Sequence, residues 1–97
     1  MTYELHPEAA LEHEEQVAYY EARSSGLGSR YHAAFQQAAF RACAAPQRYR
    51  IIAEPKLRRV SLQGFPHHII YRETIGAVQI LAIAHDRRRP EYWSGRL

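Results

Sequence analysis

Apolar and polar positions divide the chain into a first half with helical period and a second half with strand period. Thr2 to His6 alternates, with Tyr3 and Leu5 on one face, which predicts a short strand. Pro7 follows, at a position where its missing N–H costs nothing if a helix begins there. Residues 7–23 contain no Gly, and no Pro after Pro7, and are rich in Ala and Glu. Ala10, Val17, Ala18 and Tyr20 mark a weakly apolar face with Glu8, Glu12, Glu15 and Glu21 outside, although Glu14 sits near the stripe. The reading is a helix. Ser24 to Ser29 holds Gly26 and Gly28, the permissive backbone that a tight interhelical turn needs. Over 27–45, Leu27, Tyr31, Ala34, Phe35, Ala38, Ala42 and Ala45 form one helical stripe, and Pro46 stops it. Two helices on so short a link make an antiparallel hairpin.

After Pro46 the period changes to two. In Leu57 to Leu62, Arg58, Val60 and Leu62 share one face and Leu57, Arg59 and Ser61 the other. Gly64-Phe65-Pro66 is a break. His67 to Arg72 is a β-branched and aromatic run, hence a strand. Glu73 to Gly76 is a hairpin-length connection, and Ala77 to Ala84 is an almost continuous apolar run suited to a central strand. The order is β-α-α-β-β-β. The predicted fold class is α+β: an antiparallel sheet with the helical hairpin packed on one face, where both apolar surfaces are hidden together.

Ninety-seven residues suit one domain, taken as 1–97. An apolar fraction of 46% and a charged fraction of 24% argue against disorder of the whole chain. Cys43 is the single cysteine, so no internal disulfide is possible. With no secretory leader in evidence, the expected setting is reducing and cytoplasmic. The longest apolar stretch, Ile75 to Ala84, falls far short of the roughly 20 residues of a spanning helix, so no membrane association is expected. Charge changes the picture more. Residues 1–48 hold four Arg and six Glu, while residues 49–97 hold one Lys and eight Arg against three Glu and one Asp. The second half is therefore a basic module that calls for an anionic partner, a nucleic acid or an acidic protein segment.

A set of short motifs then comes together. His6-Pro7-Glu8-Ala9 opens the first helix, Tyr19-Tyr20-Glu21 stands near its end, and Gly26-Leu27-Gly28 separates the helices. Arg58-Arg59, Phe65-Pro66 and Ile70-Tyr71 follow, then Ala82-Ile83-Ala84-His85, Arg87-Arg88, Pro90 and Tyr92-Trp93. In this order the chain resembles the RelE/ParE superfamily of toxins from bacterial type II toxin–antitoxin modules, the ParE branch most closely. The resemblance covers nearly the whole chain. It implies the same β-α-α-β-β-β fold and a toxin neutralised by a cognate antitoxin that wraps it. ParE-type toxins are described as inhibitors of DNA gyrase. RelE-type toxins cleave mRNA on the ribosome.

Metal-independent RNA cleavage needs a base for the 2′-hydroxyl, cations for the phosphorane charge and an acid for the leaving oxygen. His85, Arg59 and Tyr92 are the catalytic candidates under that alternative, with His85 foremost because its ordinary pKa lies near neutrality. Lys56, Arg58, Arg72, Arg87 and Arg88 complete the wider set. For target or antitoxin binding the candidates are Arg58, Arg59, Arg72, Arg87, Arg88, Arg89, Tyr92, Trp93, Tyr19 and Tyr20, since Arg and aromatic residues are the usual interface anchors. Each has a plainer reading. Arg87-Arg88-Arg89 suits a solvated charge run, Tyr31 and most aromatics suit the core, and one of Arg58 and Arg59 suits an ion pair with Glu14 or Glu21. His67 and His68 face opposite ways on a strand and do not chelate one ion, so neither a metal nor another cofactor is expected. No small-molecule substrate is expected either. The functional expectation is a ParE-like gyrase inhibitor. The alternatives are a RelE-like endoribonuclease acting on ribosome and mRNA, and a degenerate member that binds its antitoxin without toxicity.

Overall fold

A computed structural model describes residues 1–89 and 91–97. Pro90, counted in the resemblance, lies outside the described residues. The elements are β1 (Thr2–Leu5), α1 (Pro7–Arg23), α2 (Leu27–Ala44), β2 (Ile51–Ala53), β3 (Leu57–Ser61), β4 (His67–Thr74) and β5 (Ala77–His85). A 3-10 turn spans Ser94–Arg96.

Local chemistry sets the helix boundaries. His6 Nδ1 accepts the Glu8 N–H at 3.1 Å, and Pro7 fills the first helical position. The two glycines of the interhelical link serve different ends. Gly26 has φ of 86°, which a side chain rarely adopts. Gly28 is needed for close approach: a Cβ there would lie 2.6 Å from the Val17 carbonyl oxygen. The Glu21 carboxylate accepts the N–H groups of both Gly26 and Gly28, at 3.0 to 3.1 Å. It thereby satisfies orphan donors at the start of α2.

The sheet has five strands in the order β1-β5-β4-β3-β2. The predicted α+β fold with a helical hairpin on one face is what the structure shows. Two details differ from the sequence reading. β1 pairs with β5 in parallel, so the sheet is mixed. Ile51–Ala53 adds a three-residue edge strand on β3 that is too short to show a period. A register shift between Ile70 and Tyr71 brings Leu81 and Ala82 into one cluster with Ala84.

Between hairpin and sheet lies the larger core, with Tyr31, Phe35, Ala38 and Ala42 from α2 meeting Val60, Ile69, Tyr71, Val78 and Ile80. Tyr20, Tyr31, Phe65 and His67 pack ring against ring, with centroids 5.0 to 6.0 Å apart. His67 is buried there and neither ring nitrogen has a partner. Burial, helped by His85, lowers its pKa to about 4, so it sits in the core as a neutral aromatic ring.

Candidate functional site

The sheet face turned away from the helices carries a smaller core of Leu57, Ile70, Leu81, Ala82 and Ala84, closed by Trp93. Trp93 is only 5% exposed, so most of the indole expected at an interface is spent on the protein's own sheet. Beside it opens a cleft of about 250 Å³ whose walls include Arg59, His68, His85, Asp86, Arg88, Arg89 and Tyr92.

Asp86 organises one wall. Its Oδ1 bonds His68 Nδ1 at 2.7 Å and faces Arg59 Nη2 at 3.8 Å. Burial lowers the His68 pKa while the Asp86 bond opposes that shift. The two neighbouring histidines do face opposite ways, His68 into this cleft and His67 into the helix-side core. Among the described residues no group of three or more His, Cys, Asp or Glu is placed to hold a metal ion.

Arg58 and Arg59 divide as strand geometry predicts, but neither pairs with Glu14 or Glu21. Arg58 Nη1 donates to the Tyr49 and Gln47 carbonyls at 2.7 and 3.2 Å, bracing the chain after α2. Glu21 is occupied by the glycine N–H groups, and Arg59 turns to Asp86. Arg72 Nε donates to Gln79 Oε1 across the β4–β5 pair at 2.8 Å. Arg87, Arg88 and Arg89 are exposed, and no ion pair reaches them among the described residues. The Arg88 guanidinium lies 3.9 Å from the centroid of the Tyr92 ring.

The three nuclease candidates border one cleft, but each is engaged within the protein. His85 Nδ1 accepts the Arg87 N–H at 3.0 Å, and its ring stands edge-on to His67 at 5.0 Å. The Tyr92 hydroxyl donates to Glu12 Oε2 at 2.7 Å, and burial together with that carboxylate pushes its pKa far above the ordinary phenol value. Arg59 faces Asp86. Tyr19 and Tyr20 belong to α1, across the sheet from the cleft. Tyr20 packs into the core, whereas Tyr19 is exposed and accepts a bond from Arg23 Nη1.

Two residues that the sequence reading did not single out are central. Glu12, placed outside by helical periodicity, and Arg96 form an ion pair at 2.9 Å, each about one-seventh exposed. Their separation of 84 positions leaves no local signal. No described helix is long and apolar enough to cross a membrane. A family model described as ParE toxin of type II toxin-antitoxin system, parDE, matches residues 3–90. No curated protein matches the chain.

Proposed function

The chain belongs to the ParE toxin family of type II toxin–antitoxin systems, and from that premise we propose that it inhibits DNA gyrase by binding rather than by bond cleavage. The cleft on the helix-free sheet face and its arginine rim are the contact surface in this reading. The observation that carries it is a contrast in side-chain engagement. Arg87, Arg88 and Arg89 stand exposed without an acidic partner among the described residues, while the Tyr92 hydroxyl is bound to Glu12 and Arg59 faces Asp86 at 3.8 Å. A binding surface needs the first condition, and a nuclease using Tyr92 would need its hydroxyl released from Glu12. Arg58, whose guanidinium is held by two backbone carbonyls, contributes to shape more than to contact in this reading.

A cognate antitoxin completes the proposal, as the family implies. Its docking draws support from the exposed Tyr19 and from Phe40, which is 72% exposed beside a groove shared with Met1 and Tyr3. The test uses purified chain, gyrase and relaxed plasmid. Loss of supercoiling, reversed by the antitoxin, is the expected result. New mRNA ends by primer extension on translating ribosomes, with supercoiling intact, would replace this reading with the endoribonuclease. Antitoxin binding without either effect would leave a non-toxic family member.

A further inference from the structure

β1 pairs with β5 only as far as Ile80, opposite Leu5, and His6 N–H then donates to the Ile80 carbonyl. Beyond that point the edge of β5 is completed by side chains. Glu12 Oε1 accepts the Ile83 N–H at 3.0 Å, and Arg96 Nη1 donates to the Leu81 carbonyl at 3.0 Å. The two side chains also grip each other in a fork, Nη1 to Oε1 at 2.9 Å and Nη2 to Oε2 at 3.0 Å. Such two-point pairing fixes orientation as well as distance. The Glu12 bond holds the Arg96 pKa above its ordinary value.

The fork has a third member. Glu12 Oε2 also accepts the Tyr92 hydroxyl at 2.7 Å, which fixes the plane of the ring. Two guanidiniums attend that ring, Arg96 at 5.0 Å and Arg88 at 3.9 Å from its centroid. The chain of contacts runs from the β5 edge through Glu12 and Tyr92 to Arg88, whose side chain borders the cleft. An exposed arginine otherwise samples many rotamers, and binding must then order it. We propose that Glu12 is a positioning residue for the cleft: acting through Tyr92, it pre-sets Arg88 for the partner. The inference rests on the reading of the cleft as the target-binding surface. Glu12 itself touches no partner in this scheme.

Two measurements on the full chain test it. The first needs no target. In side-chain NMR of the ¹⁵N-labelled protein, the Arg88 Nε–Hε signal is expected to be displaced by the Tyr92 ring current. It should move toward the position of an unrestrained arginine in Glu12→Gln, Tyr92→Phe and Tyr92→Leu. Tyr92→Phe keeps the ring and loses only the hydroxyl bond, so it reports even where Glu12→Gln does not fold. An Arg88 signal unchanged in Tyr92→Phe overturns the proposal, whatever Tyr92→Leu does, because Leu removes the ring itself. The second measurement is a cycle on gyrase inhibition. Arg88→Gln and Tyr92→Leu should each raise the half-inhibitory concentration about tenfold, and the double variant no further. Effects that multiply overturn the proposal, because Tyr92 would then act independently of Arg88. If the unmodified chain leaves gyrase untouched, the proposed function falls, and the NMR result alone decides the role of Glu12.

Discussion

One face of the sheet is sealed by two helices and the other chiefly by Tyr92 and Trp93, and the two seals behave differently. On the helix side, Tyr31, Phe35, Ala38 and Ala42 recur at helical spacing and meet strand residues at spacing two. On the other side, Trp93 with the partly buried Tyr92 and Ala53 packs on Leu57, Ile70, Leu81 and Ala84, and Tyr92 and Arg96 are held by polar bonds to Glu12. The first seal is extended and apolar. The second is small, and it leaves a basic cleft at its margin. Incomplete coverage leaves polar side chains such as Arg88 and His85 lining a cleft, where the helix side is closed by apolar packing.

Four experiments would break or sharpen that contrast. Trp93→Ala should cost about 3–5 kcal/mol in chemical denaturation, the same range as Phe35→Ala on the helix side. A loss below roughly 1 kcal/mol would show that the helix-free face holds no true core. Acid comes next. His67 has a folded pKa of about 4 against an unfolded value near 6.5, so the unfolded chain takes up the proton first as pH falls. Stability contributed by keeping His67 neutral is therefore present above pH 6.5 and is lost between about 6.5 and 4, by roughly 3 kcal/mol. His67→Phe should shrink the stability difference between pH 7 and pH 4. The remainder belongs in part to His13, whose pKa burial also lowers to about 4. An unchanged pH profile in His67→Phe would place the acid sensitivity elsewhere. Gly28→Ala should lose roughly 2 kcal/mol, against the gain of about 1 kcal/mol usual for a helix interior, because the new Cβ meets the Val17 carbonyl. A rise in melting temperature would show that the helices separate without penalty. Phe40→Ser, on the exposed side of α2, should change stability by no more than about 0.5 kcal/mol while weakening antitoxin capture.

The contrast also explains what could be read from the sequence. The stripe from Leu27 to Ala42 and the alternation in Leu57 to Leu62 announce the helix-side core, because each residue's neighbours repeat its environment. The opposite orientations of Arg58 and Arg59 follow from the same rule. Their partners do not follow from it, since a backbone carbonyl at Tyr49 and a carboxylate at Asp86 carry no periodic mark. β2 carries no such mark, because three residues cannot establish a period. The residue types lining the candidate cleft were legible, an arginine run with Tyr92 and Trp93 in a basic half. Its architecture was not. Trp93 reads as an anchor for a partner until the sheet is seen to bury it, and Glu12 reads as a solvated face of α1 until Tyr92 and Arg96 arrive from the other end of the sequence.

The pairing of Glu12 with Arg96 has a temporal side. A ribosome adding roughly 5–20 residues per second needs on the order of ten seconds to travel from one to the other. The helical hairpin, complete at Ala44, is made well before Tyr92, so it can pair while Arg88 has no anchored ring to rest on. The arginine wall of the cleft is thus set only after the helix it is tied to through Glu12 has been made.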